Sequence, residues 1–395
     1  MGLNDTPSSQ RIHISFFGCR NVGKSSLVNA VTGQELAVVS AVKGTTTDPV
    51  IKSMELLPLG PVCIIDTPGI DDEGDLGKKR IEKSLKVLGK TDIAVLVANC
   101  AAELNEFDKQ LISSFKAKKI PYIIAYNKCD IAQRQANAEN EICVSAANGK
   151  NIYELKELIA KTVPSKNSER RIIGDLISEN DIVVLVTPID AAAPKARMIL
   201  PQQMTIRDVL DSDAIAMVTK ETQLAQTLAS LGKQPKIVIT DSQAFAYVSK
   251  IVGDEIPLTS FSILMARYNG YLDMALKGIE ALERLNDGDT VLIAEGCTHH
   301  RQCGDIGTVK IPKALKKCTE KELNIKICSG TEFPDDLSGI SLVVHCGGCM
   351  LNRREVTSRM ERADIQGVPV TNYGILLAYA NGILAGSVKA IKTIG

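Results

Sequence analysis

The sequence predicts an α/β protein: a doubly wound sheet over residues 1–165, then two smaller α/β parallel-sheet units over 172–261 and 262–395. Three observations predict it. Short, continuous apolar runs alternate with helix-length segments, the pattern of a parallel sheet covered on both faces. The polar, proline-containing stretch Pro164–Arg171 interrupts that rhythm and reads as a linker. The rhythm then resumes twice.

In the first unit the strand-like runs are Ile12–Phe17, Val62–Ile65, Ile93–Ala98, Tyr122–Tyr126 and Ile142–Ser145. Helical stretches fall between and after them at Lys24–Val31, Gly77–Leu88, Asp108–Lys116 and Ile152–Val163. The second unit has strands at Ile182–Thr187, Ala214–Val218, Lys236–Thr240 and Pro257–Ser260, with helices at Ile206–Leu210, Thr222–Leu231 and Ser242–Val252. It carries no catalytic pattern, and units of this kind often serve as oligomerisation platforms. In the third unit Met265–Leu285 has apolar residues at helical spacing and is ended by Asp287-Gly288-Asp289. Strands follow at Thr290–Ala294, Asn324–Cys328, Ser341–His345 and Pro369–Val370, and the tail Tyr373–Ile391 reads as helix interrupted by glycine.

Composition narrows the function classes. Lys+Arg and Asp+Glu both number 46, so the net charge is zero, which argues against binding nucleic acid through bulk charge. A hydrophobic content of 45% is ample for packed cores and excludes general disorder. Aromatics are 4% and Trp is absent, so stacking platforms for single strands are not expected. The apolar runs Ile93–Ala102 and Ile375–Ala385 fall short of the ~20 residues of a membrane span. The N-terminus is polar and lacks a secretory apolar stretch, and the eleven cysteines are an odd number. The expectation is a cytoplasmic protein with reduced thiols and no membrane or nucleic-acid partner.

Gly18-Cys-Arg-Asn-Val-Gly23-Lys24-Ser25 fits G-x-x-x-x-G-K-[ST] between a strand and a helix, the setting of a phosphate loop. The segment Gly18, Asn21, Val22, Gly23, Lys24, Ser25 and Ser26 is expected to wrap the phosphates, with Lys24 on the β and γ groups and Ser25 on Mg²⁺. Asp66-Thr-Pro-Gly69 ends another strand, where Asp66 can stand behind Mg²⁺ and the Gly69 N–H can meet the γ-phosphate. Asn127-Lys128-Cys129-Asp130 ends a third. A carboxylate there accepts both N1–H and N2–H of guanine, a donor pair that adenine lacks. Ser145-Ala146 suits backbone contact with the guanine oxygen, and Thr46, in Gly44–Thr47, is the candidate to complete the Mg²⁺ shell. All lie at strand C-termini, where open α/β sheets bind ligands. The implied activity is Mg²⁺-dependent hydrolysis of GTP to GDP.

Ile70 stands where GTPases of the Ras type carry a water-orienting Gln. This segment resembles the TrmE-like branch of GTPases. That resemblance implies that Asn21 helps hold K⁺, which supplies positive charge during hydrolysis.

The C-terminal unit carries a second cluster of chemistry. Cys297-Thr298-His299-His300 and His345-Cys346-Gly347-Gly348-Cys349 each follow a strand and can converge on one sheet edge. Three thiolates and a His suit structural Zn²⁺, and three thiolates also suit a [4Fe–4S] cluster with a labile fourth ligand. Spacing alone leaves both open.

A TrmE-like GTPase joined to C-x-H…H-C-x-x-C resembles the HydF family of [FeFe]-hydrogenase maturation GTPases. Asp66–Asp75, Pro194–Asp208 and Cys297–Pro312 resemble it too, so the likeness runs through the whole chain. The resemblance implies a [4Fe–4S] cluster on Cys297, Cys346 and Cys349. His299, His345, Asp305 or an exogenous group would be the fourth ligand, while the additional His300 and Cys303 depart from the pattern. It implies a homodimer through the middle unit. It also implies a scaffold on which the diiron subcluster of the hydrogenase is completed with the radical-SAM maturases HydE and HydG, then delivered to HydA. The competing reading is a ribosome- or tRNA-associated GTPase with a structural zinc site. Such a protein should show a basic tail, yet from Pro369 onward only Lys389 and Lys392 are charged.

Overall fold

The computed structural model describes residues 6–34, 49–69, 84–163, 170–188, 198–296, 306–330 and 332–394. The chain forms two compact units: Met1–Ser168 with Asn352–Glu355, and Glu169–Leu351 with Val356–Gly395.

Six strands build the sheet of the first unit: β1 (Ile12–Phe17), β2 (Val50–Leu56), β3 (Gly60–Asp66), β4 (Ile93–Asn99), β5 (Tyr122–Asn127) and β6 (Glu141–Cys143). Their order is β2-β3-β1-β4-β5-β6. Alternate residues feed two cores. Ile14 and Phe16 join the cluster around Leu27 and Leu155, whereas Phe17 and Ile65 join the cluster around Leu111 and Phe115. That is the two-sided burial expected of parallel strands covered by helices. β2 departs from the expectation. It pairs antiparallel with β3 and makes the sheet mixed. Its residues are mostly exposed, so no continuous apolar run announces it. Of the stretch expected as the helix Gly77–Leu88, residues 77–83 lie outside the described residues, and 84–88 are helical.

The second unit contains two parallel four-stranded sheets. One has β7 (Ile182–Val186), β8 (Ile215–Thr219), β9 (Ile237–Thr240) and β10 (Leu258–Ser260) in the order β10-β9-β7-β8. The other has β11 (Thr290–Ala294), β12 (Asn324–Cys328), β13 (Leu342–His345) and β14 (Val370–Asn372) in the order β12-β11-β13-β14. Both sheets contribute to one core: Val183, Leu185, Ile237 and Ile239 pack in the same cluster as Val291, Ile293, Leu342 and Val344. The helix expected over Met265–Leu285 is broken. Phe261–Asn269 ends at Gly270, whose φ of 86° lets its N–H close on the carbonyls of Ala266 and Arg267, and Leu272–Glu280 follows. The tail divides likewise into Tyr373–Ala380 and Leu384–Ile394 around Gly382. Among the described residues no helix is long and apolar enough to cross a membrane.

Close approach fixes one glycine in this unit. A Cβ on Gly278 would lie 2.0 Å from the carbonyl oxygen of Val370 on β14, so helix Leu272–Glu280 packs directly on the strand backbone. Gly278→Ala should therefore destabilise the unit by about 1–3 kcal/mol in urea unfolding. Gly386→Ala, with nothing within 4 Å of its Cβ, should be neutral or stabilising.

Candidate functional site

β1 ends at Phe17, and the chain turns at Gly18 (φ 151°), Asn21 (φ 61°) and Gly23 (φ 83°) into helix Lys24–Thr32. Two of these positions require glycine. A Cβ on Gly18 would lie 2.4 Å from the Val97 carbonyl oxygen, and one on Gly23 would lie 2.4 Å from Asn127 Nδ2. Gly69 also belongs to this cradle, since its Cβ would meet Arg20 Cγ at 3.0 Å.

The first turn of the helix points into Asp66. Lys24 Nζ donates to Asp66 Oδ1 and to the Thr67 carbonyl, and Ser25 Oγ donates to Asp66 Oδ2 at 2.8 Å. Lys24 and Asp66 are both buried. Burial pushes the Lys24 ammonium below its usual pKa, against the opposing pull of Asp66. Ser26 sits half-buried in the same turn.

Asn127 ties this loop to the other strand ends. Its Nδ2 donates to the carbonyls of Val22 at 2.9 Å and Gly23 at 3.4 Å, and its Oδ1 accepts from the Ala146 N–H at 3.0 Å. Lys128 Nζ donates to the Asn21 carbonyl at 2.6 Å. Ser145 Oγ donates to Asp130 Oδ1 at 2.7 Å and holds that exposed carboxyl below the usual carboxylate range. The structure thus brings together Gly18, Asn21, Val22, Gly23, Lys24, Ser25, Ser26, Asp66, Gly69, Asn127, Lys128, Asp130, Ser145 and Ala146. Thr46, its loop Gly44–Thr47 and Ile70 lie outside the described residues.

In the second unit, β11 and β13 are parallel neighbours with Ala294 level with His345. The Cys346 N–H continues the ladder to the Ala294 carbonyl at 2.8 Å. Cys346 Sγ then accepts two backbone N–H groups, from Gly296 at 3.0 Å and Gly348 at 3.4 Å. Neither glycine is replaceable without displacement. A Cβ on Gly296 would lie 2.9 Å from Leu351 Cγ, and one on Gly348 (φ 67°) would lie 3.0 Å from Val356 Cγ2. Burial raises the Cys346 thiol pKa, and the two N–H donors pull it back down. Cys349 is partly buried on the same turn. Cys297 and His299, with His300, Cys303 and Asp305, lie outside the described residues, but Gly296, which donates to Cys346, is the residue before Cys297. Among the described residues no group of three or more His, Cys, Asp or Glu side chains is placed to hold a metal.

His345, expected as a candidate ligand, is arranged differently. It is fully buried, with Nδ1 2.7 Å from the Cys346 carbonyl and Nε2 3.3 Å from Arg359 Nη1. A guanidinium only donates, so Nε2 accepts and Nδ1–H donates to the carbonyl. Burial and Arg359 bring its pKa down to about 4. Both nitrogens of this neutral ring are engaged in this arrangement, and His345 stands as a strut beneath Cys346. Sequence reasoning also passed over Arg359 and Glu295. Glu295 is buried, with its carboxylate 3.4 Å from both Tyr373 OH and Ser329 Oγ. Its signal was a charge placed between the apolar strand and Gly296-Cys297.

Comparison with known proteins adds three family-model matches. The hydrogen maturase F dimerization domain matches residues 172–270 and the hydrogen maturase F tetramerization domain residues 273–390. A model described as 50S ribosome-binding GTPase matches residues 13–128. Among curated proteins, the chain is similar to GTPase Der of Wolinella succinogenes, at 36% identity over 194 residues, 45% of this chain and 40% of that protein. It is also similar to the tRNA modification GTPase MnmE of Koribacter versatilis, at 32% over 207 residues, 50% of this chain and 45% of that protein. The chain thus spans less than half the length of these relatives. A solved probable GTP-binding protein engB shares 23% identity and a TM-score of 0.32, covering 38% of this chain and 98% of that one, a likeness too remote to argue from.

The Asn127 amide makes a direct prediction. Asn127→Ala would strand the partly buried Val22 carbonyl and Ala146 N–H, at a cost of about 1–3 kcal/mol. Urea unfolding should show the loss in the first unit and leave the second unchanged.

Proposed function

Because the chain belongs to the hydrogen maturase F family, we propose that it is a GTP-hydrolysing scaffold that binds a [4Fe–4S] cluster, completes the diiron subcluster of the [FeFe]-hydrogenase active site and transfers it to the apo-hydrogenase. One observation carries this reading. A connected phosphate-loop constellation shares its chain with a cysteine held by two backbone N–H groups, inside the region matched by hydrogen maturase models.

At the nucleotide site, Lys24 would exchange Asp66 for the β and γ phosphates of GTP. Ser25 and Thr46 would hold Mg²⁺, with Asp66 behind them. Asp130, already polarised by Ser145, would accept from the guanine edge, and Ala146 would meet its oxygen. Asn21 is exposed on the phosphate loop, and we assign it to K⁺. Hydrolysis should then run several-fold faster in KCl than in NaCl at equal ionic strength. Equal rates would remove the K⁺ role.

At the sulfur site, Cys346 and Cys349 with Cys297 would hold the cluster, leaving the fourth position to His299, Asp305 or an exogenous group. The residues fit such a group. N–H donors from Gly296 and Gly348 suit a sulfur carrying thiolate charge, and the glycines let the backbone come close enough. The cluster supplies an iron site with an exchangeable position, which suits a carrier that must release its load.

Self-association through the middle region is part of the family assignment. β8 is an edge strand with Ile215 45% and Val218 43% exposed, an edge fitted to pairing with a second copy. HydE and HydG as donors, HydA as recipient and a cytoplasmic location belong to the same proposal.

The test is anaerobic reconstitution with iron and sulfide. The expected product holds about four irons per chain and gives an EPR signal on reduction. A colourless, EPR-silent protein with bound zinc that resists iron would overturn the cluster reading and favour the structural-zinc alternative. Cys346→Ser should abolish loading and hydrogenase activation while GTP turnover persists, and Lys24→Ala should stop GTP turnover but leave the cluster in place.

A further inference from the structure

Behind the Cys346 half-site lies a buried cation that neither the nucleotide site nor the ligand set uses. Arg359, on helix Arg353–Ile365, is 3% exposed. Its Nη1 donates to His345 Nε2 at 3.3 Å and its Nη2 to the Gly330 carbonyl at 2.6 Å, and its guanidinium carbon lies 5.4 Å from the Phe333 ring centroid. His345 passes that contact on, through its other nitrogen, to the Cys346 carbonyl at 2.7 Å. The guanidinium is therefore fixed one imidazole away from the cysteine backbone, and it stays charged at any working pH. The other titratable groups around Cys346 are Glu295, Tyr271 and Cys328, with Glu295 held by Tyr373 and Ser329.

We propose that Arg359 is the electrostatic partner of the thiolate-held cluster, a positioning residue whose fixed positive charge favours the cluster's reduced state. The proposal rests on the cluster reading given above. Reduction by dithionite adds one electron and one negative charge, and no covalent bond need form or break. A cation held rigidly in a low-dielectric interior stabilises the more negative state over the less negative one. The link through His345 also fixes which imidazole nitrogen carries the proton, and so the angle at which the Cys346 turn is presented.

The test compares wild type, Arg359→Gln and Arg359→Lys in the full chain, each reconstituted anaerobically and titrated with dithionite under EPR. The glutamine variant should load iron yet have a more negative midpoint potential, and the lysine variant should return toward wild type. Loading by the lysine variant alone, at the wild-type potential, would support the proposal equally. Equal potentials in wild type and Arg359→Gln would overturn it and leave the cluster reading standing. Failure of both variants to load, while wild type loads, would reduce Arg359 to a structural post and overturn the charge role. If wild type itself takes up no iron, both readings fall together.

Discussion

Parallel strand pairing is the constraint on which both sites depend. In a parallel sheet every strand delivers its C-terminal end to the same edge, so residues far apart in sequence arrive side by side without any loop having to find them. In the first unit β1, β3, β5 and β6 release the phosphate loop, Asp66, Asn127–Asp130 and Ser145–Ala146 at one edge. In the second unit β11 and β13 do the same for Gly296 and Cys346, with the ladder bond from Cys346 to Ala294 setting their level. The apolar runs that make these strands bury on both faces are thus also what places the chemistry.

The two edges are held by different means. Around the phosphate loop the anchor is a neutral amide: Asn127 donates twice and accepts once, joining three loops without burying a net charge. Its partner is the Lys24–Asp66 pair, in which each charge offsets the other in a buried site. Beneath Cys346 the anchors are ionisable. His345 is kept neutral by burial and by Arg359, while Arg359 itself stays charged. A neutral anchor suits a loop that must accept a highly charged nucleotide and let it go. A charged anchor suits the proposed cluster site, whose sulfur ligands would carry charge.

How much of this was legible in the sequence follows from the same physics. Most of these strands read as short apolar runs, so among the described residues thirteen of the fourteen strands were legible and only their ends shifted. β2 was missed because Lys52, Ser53 and Glu55 break up its apolar residues, which an exposed edge strand tolerates. The break at Gly270 was missed because helical spacing of apolar residues persists across it, and only the positive φ shows that the helix has ended. The nucleotide constellation was legible because its contacts are made by motif residues themselves. The surroundings of His345 were not legible, because the residue that meets its Nε2, Arg359, comes from the helix that follows and no spacing rule links the two.

Both candidate sites are built on glycine turns that follow a strand. Gly18 and Gly23 could not carry side chains without striking Val97 or Asn127, and Gly296 and Gly348 could not without striking Leu351 or Val356. A side-chain cation near an anion can titrate, rotate away or be screened. A backbone N–H does none of these, and its direction is set by the strand that precedes it. Phosphate oxygens and the thiolate sulfur of the proposed cluster site differ in softness and size, yet each is an anion to be held without being neutralised by proton transfer. Tight glycine turns at the ends of parallel strands suit that requirement in both halves of the chain, and under the proposed reading the neighbouring side chains, Lys24 in one and Arg359 in the other, would set how strongly negative charge is favoured.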